Sequence, residues 1–178
     1  MVLMFFAIAV IPAVFEEFAF RGVLLSALRK YGDGFAIITS SVIFGLLHGS
    51  LTAIPFAVIA GLTMGYVYVR TGNLFVNIAI HFLNNAVAVV LENLTVHLPE
   101  TTGLITTAII FYGMILLGIV ALIILCLKKK IHFHLQKPLL VLSGGQKLAC
   151  VLSNPGFILF ASICVTLCAT ALLGVPVL

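Results

Sequence analysis

The feature that most constrains this chain is a succession of apolar runs broken only by glycine, proline and a few charged groups, at about 2–29, 35–49, 52–70, 74–94, 103–127 and 156–176. A helix crosses a bilayer with about 20 mostly apolar residues, and only helices or closed barrels satisfy their own backbone in lipid. The runs lack the alternation of barrel strands, so the expected fold is all-α, a polytopic transmembrane helical bundle of about six membrane helices. Composition enters as support: of 178 residues 63% are hydrophobic and 8% charged, and mean hydropathy is +1.33. Soluble domains carry roughly 25% charged residues, so a water-soluble globule is excluded.

The length leaves no room for a separate soluble domain, and 1–178 reads as a single membrane domain with a basic loop at 128–150 and a C-terminal membrane helix at 156–176. No basic region precedes the first apolar run, and Glu16, Glu17 and Arg21 follow its start, so that segment is expected to be retained and not cleaved as a signal peptide. With alternating spans, Arg29, Lys30, Arg70, Lys128, Lys129, Lys130, Lys137 and Lys147 fall on one side, and the opposite loops carry His97 and Glu100 but no Lys or Arg. The positive-inside rule puts the basic side in the cytoplasm and both termini outside. The net charge of +4 is thus membrane-flanking charge, and no nucleic-acid partner is read from it. Cys126, Cys150, Cys164 and Cys168 form no CxxC and read as small apolar residues, not disulfides or zinc ligands. Ala57-x-x-x-Gly61-x-x-x-Gly65 is a small-residue stripe suited to close helix packing.

Ionisable groups inside spans cost about 3 kcal/mol each on insertion scales and mark functional sites by default. They concentrate at Glu16-Glu17-x-x-x-Arg21, at Phe44-x-x-x-His48 and at His81-x-x-x-Asn85. At 100° per residue Arg21 lies about 40° from Glu17 but about 140° from Glu16, so Glu17 and Arg21 can pair while Glu16 points elsewhere. Depths from the basic side are about 20 Å for Glu16 and His48 and about 10 and 17 Å for His81 and Asn85, one band of polar groups from three helices. Each feature has a structural alternative. A lone histidine can bond a backbone carbonyl, Glu17 with Arg21 can be a clamp, and Phe44 can simply pack one turn before His48. His132 and His134 read as solvated loop residues, and Glu92 reads as interfacial. The coincidence of depth of Glu16, His48, His81 and Asn85 is what those alternatives leave unexplained.

In this order, on three separate predicted membrane helices, and with Phe20-Arg21-Gly22 after the glutamates, the three motifs resemble those of the CPBP family of intramembrane endopeptidases, which comprises CAAX prenyl-proteases and bacteriocin-processing proteins and was formerly called Abi. The resemblance covers about 10–92, which would then be the catalytic core. Family members carry further membrane helices before the Glu-Glu helix, whereas this chain starts directly at it, as a minimal core or an incomplete chain would. Peptide hydrolysis needs a general base for water and donors for the tetrahedral oxyanion. The resemblance implies Glu16 with His48 for the first role and His81 with Asn85 for the second, supported by Glu17, Arg21 and Phe44. No cofactor is favoured. The alternative within the same activity is a zinc ion held by those four side chains, against which stand the rarity of Asn ligands and the absence of a His-Glu-x-x-His helix. Alternatives of other classes are a proton or ion carrier, which would show paired repeats not seen here, and a non-catalytic membrane scaffold. The expected partners are the lipid bilayer and a membrane-embedded or lipid-anchored peptide or protein, and the small chain with a short basic loop points to the bacterial plasma membrane and a bacteriocin-type leader over a CAAX tail.

Overall fold

The computed structural model describes residues 2–127 and 135–172; residues 128–134, with Lys128, Lys129 and Lys130 of the basic stretch, and 173–178 lie outside the described residues. Every regular element among the described residues is helical, as the apolar runs predict. The chain is helical from Val2 to Tyr31, passing through α1 (Val2–Phe5), a π-helical stretch at Phe6–Val10, α2 (Ile11–Glu17), a second π-helical stretch at Phe18–Leu25, α3 (Ser26–Leu28) and a 3-10 turn at Arg29–Tyr31. Then follow α4 (Asp33–Leu47), α5 (Ala53–Thr71), α6 (Leu74–Thr95), α7 (Glu100–Leu127), α8 (Gly144–Leu152) and α9 (Pro155–Leu172).

Among the described residues, the number of helices that can cross a membrane by length and apolarity is three (α5, α6 and the Glu100–Val120 part of α7), or four if α8 and α9, bent by 75°, form one broken span. The count expected from sequence was about six, at about 20 residues per span. Two causes account for the difference. The first apolar run is helical throughout from Val2 to Tyr31 but alternates α, π and 3-10 geometry, so no single α-helix within it reaches spanning length, and α4 has 15 residues, about 22 Å of helix against a hydrocarbon core of about 30 Å.

The chain forms two compact units, Met1–Val14 with Ala79–His134 and Phe15–Ile78 with Leu135–Leu178. The second unit is built around Phe20, Leu25, Leu28, Ala36, Ile37, Ile43, Phe44, Ala57, Met64 and Val151. Its closest helix pair is α4 on α5, where the small-residue stripe does the work expected of it. A Cβ on Gly61 would stand 2.9 Å from Ser41 Cβ and 3.0 Å from its Cα, and one on Gly45 would collide with Val58 Cγ2. Helices approach this closely only where a hydrogen replaces a side chain.

At the basic end of this unit, Asp33 is buried and binds Arg29 Nε at 2.8 Å and the Gln136 backbone N–H at 2.8 Å. Lys147 Nζ donates to the Tyr31 carbonyl at 2.8 Å. Residues from 144 onward, expected as loop up to 150, are instead helical as α8. The cause is a capping box: Ser143 Oγ accepts from the Gln146 N–H, and Gln146 Oε1 accepts from the Ser143 N–H at 2.9 Å. In the first unit, Phe5 meets Phe82 edge to face with ring centroids 6.0 Å apart.

Candidate active site

Glu16 and Glu17 are the last two residues of α2, and the backbone widens into the Phe18–Leu25 π-helical stretch directly after them. Such π segments inside helices recur at functional sites. Glu17 is wholly buried and Arg21 is 1% exposed; Arg21 donates through one terminal nitrogen to Glu17 Oε1 at 2.8 Å and through the other to the Gly61 carbonyl at 3.3 Å. The predicted i,i+4 pair therefore forms, and it is tied to α5 through the Gly61 carbonyl. Glu16, about 100° around the helix, is half-buried and separate from that pair in exposure.

Phe44 is buried beneath this ion pair. Its ring lies 4.6 Å from Arg21 Cζ, and it meets the Phe20 ring edge to face at 5.1 Å. The expectation that Phe44 packs one turn before His48 is therefore met, and the ring has a second role as a π face for a desolvated cation. The same ring meets His48 at 5.1 Å with the planes 69° apart, and His48 Nδ1 lies 3.2 Å from the Phe44 carbonyl oxygen. A carbonyl only accepts, so Nδ1 carries the proton of this bond, and the neutral imidazole has its lone pair on Nε2. His48 itself is exposed at the end of α4. Gly49 follows at φ +61°, a left-handed turn that ends the helix immediately behind the imidazole.

The third motif lies in the other unit. His81 is 5% exposed, and Asn85 is half-buried with its Nδ2 donating to the Ile8 carbonyl at 3.2 Å, within the Phe6–Val10 π-helical stretch. Glu17, Arg21, Phe44 and His48 are thus brought together within the second unit, while His81 and Asn85 are described within the first.

One residue of this network was not anticipated. Asn77 on α6 is fully buried, and its Nδ2 donates to Glu17 Oε2 at 3.2 Å and to the Met64 carbonyl at 2.7 Å. The available signal was its spacing: Asn77, His81 and Asn85 recur every four residues and so share one face of a helix. Among the described residues, no group of three His, Cys, Asp or Glu side chains is clustered so as to hold a metal ion.

Residues 1–87 match the family model described as type II CAAX prenyl endopeptidase Rce1-like. Over 91 residues the chain is 32% identical to a Bacillus subtilis (strain 168) protein described as "Putative membrane peptidase YdiL". That stretch is 51% of this chain and 37% of the relative, so the chain spans little more than a third of the relative it matches. No solved structure matches the chain. The match and the apolar helices make this an integral membrane protein.

Proposed function

We propose that the chain, whose residues 1–87 match the type II CAAX prenyl endopeptidase Rce1-like family model, is an intramembrane endopeptidase that hydrolyses a peptide bond of a membrane-associated peptide or protein. The observation that carries this beyond the family is the state of His48. With Nδ1 donating to the Phe44 carbonyl, the neutral form of the imidazole has its lone pair on Nε2, the arrangement a general base requires.

In the proposed reaction Glu16 and His48 take the proton of a water whose oxygen attacks the scissile carbonyl carbon. His81 and the Asn85 amide, assigned by their motif, donate hydrogen bonds to the oxyanion that forms. The C–N bond then breaks and the proton passes from the base to the departing amine. Glu17, Arg21 and Phe44 form the support, since the clamp neutralises two charges in the apolar interior. Water activation is assigned to side chains alone. Zinc remains the alternative, and elemental analysis of active purified protein decides it: stoichiometric zinc, removable with loss of activity, would replace this mechanism.

The substrate enters as an extended segment from the cytoplasmic side or laterally between helices, because a group about 10–20 Å below the surface is out of reach of a folded soluble domain. Supporting this, an apolar cleft of ≈ 450 Å³ opens beside Phe20, Leu24, Phe157 and Phe160, with Lys30 and Tyr31 also lining it. We favour a bacteriocin-type leader or self-immunity substrate in a bacterial plasma membrane, with a multi-pass topology and basic loops in the cytoplasm, over a CAAX tail. The test is incubation of detergent-purified protein with a farnesylated CAAX peptide, its unprenylated twin and a membrane-anchored leader peptide, with products identified by mass spectrometry. Glu16→Ala and His48→Ala should abolish cleavage, and Asn85→Ala should lose about 10²–10³ in rate while retaining more than Glu16→Ala. Cleavage of the farnesylated peptide alone would overturn the substrate preference, and full activity of Glu16→Ala would overturn the mechanism.

A further inference from the structure

Glu17 is enclosed by donors from different elements: Arg21, one turn along its own helical run, holds Oε1, and Asn77 of α6 holds Oε2. Asn77 makes a second bond, to the Met64 carbonyl of α5, so one amide links three elements at a fully buried point. Both acceptors face Nδ2, which sets the amide's orientation, because a flipped amide would oppose an oxygen to a carboxylate and to a carbonyl. The consequence falls on Oδ1. It is buried and has no hydrogen-bond partner among the described residues.

A buried acceptor without a donor is unfavourable, and buried polar groups are nearly always paired. Leucine has nearly the same shape and would fill this position without stranding an oxygen. Packing alone therefore does not explain an asparagine here, whereas the grip of Nδ2 on Glu17 does.

Glu16 and Glu17 are adjacent on α2, about 100° apart around its axis. Fixing the direction of one fixes the direction of the other. Arg21 lies on the same helical run as Glu17 and reaches α5 through the 3.3 Å bond to the Gly61 carbonyl, so it references the carboxylate to α5 only. Asn77 supplies the reference from outside, through Met64. We propose that Asn77 is a positioning residue which locks Glu17 against α5 and α6, and thereby holds Glu16 in the orientation that water activation needs. This inference rests on the peptidase function proposed above.

The test uses the full chain with Asn77→Leu and Asn77→Asp, each required to be membrane-inserted and monodisperse in detergent. Misplacing a reacting group by about 1 Å costs on the order of 10²-fold in rate. Asn77→Leu should therefore lower kcat per folded molecule by about 10–100-fold while KM stays within about twofold, and the melting temperature should fall only modestly, as expected for the lost Glu17 Oε2 and Met64 hydrogen bonds. Asn77→Asp keeps the shape but sets a carboxylate against Glu17, and its kcat should fall further than that of Asn77→Leu. A purely structural role would behave differently, because kcat per folded molecule would be unchanged and activity would be lost in step with folded protein. Parental kcat in Asn77→Leu, activity lost in proportion to folded protein, or failure of both variants to fold would each overturn the proposal. Glu16→Ala is run in parallel. An inactive Glu16→Ala beside an Asn77→Leu of parental kcat refutes the role of Asn77 alone, whereas an active Glu16→Ala, or no cleavage by the parent, refutes the peptidase function and this inference with it.

Discussion

Replacing Glu17 with alanine should be among the most damaging single substitutions in this protein, and its size follows from what the carboxylate touches. Glu17 is wholly buried and accepts from Arg21 at 2.8 Å and from Asn77 at 3.2 Å. Its loss strands a guanidinium that is itself 1% exposed. Removing one partner of a buried pair costs about 3–5 kcal/mol, because the other charge stays desolvated without compensation. Two features moderate this: the Phe44 ring 4.6 Å from Arg21 Cζ and the Gly61 carbonyl, both of which remain to stabilise the cation. They place the expected loss toward the lower end, about 3–4 kcal/mol, which is roughly 10²–10³ in the unfolding equilibrium at 1.4 kcal/mol per decade. The double variant Glu17→Leu/Arg21→Met removes both charges and should recover at least half of that loss, with the stranded Asn77 N–H costing about 1–3 kcal/mol. The assay is SDS titration of purified protein in mixed micelles, followed by far-UV circular dichroism. A loss below about 1 kcal/mol in Glu17→Ala, or a double variant no more stable than the single one, would refute the buried-charge account.

Phe44→Ala should destabilise by about 3–5 kcal/mol, as a large core aromatic is lost, and should also cut activity by releasing the His48 ring that packs on it; the same SDS titration and a cleavage assay check both. Gly61→Val should part α4 from α5, because even a single Cβ comes 2.9 Å from Ser41 Cβ, with a cost of about 1–3 kcal/mol and a lower melting temperature in detergent. Topology is tested by cysteine labelling in a background without native cysteines, with Gly145→Cys expected to be shielded from an impermeant outside reagent and Thr101→Cys expected to react. Asp33 is unsuited to that experiment because its side chain holds Arg29 and the Gln136 N–H.

What the sequence determined by itself is whatever a single helix encodes. Apolar runs of spanning length dictate helices, since no other open structure satisfies its backbone in lipid, and each of the six runs is helical over most of its described residues. A spacing of four puts Glu17 with Arg21 and Phe44 with His48 on common faces, and both pairs are in contact. The small-residue stripe on α5 announced a close helix contact, although not that α4 would supply it. The helix at Gly144–Leu152 was also legible, in the Ser143-x-x-Gln146 spacing of a capping box, but its polar first turn reads as loop when only apolarity is followed.

Tertiary structure decided which partners meet across helices. Helical periodicity specifies a face but not the crossing angle and register that choose its neighbour, so one asparagine in an apolar helix gives no sign that it will reach a glutamate 60 residues earlier. Nor could composition show that the Gly61 and Met64 carbonyls would be acceptors, because backbone oxygens are present at every position. The π-helical stretches within the first run belong to the same class. Inserting an extra residue into a helical turn is unfavourable locally and survives where surrounding contacts hold it, and those contacts exist only once the bundle has formed.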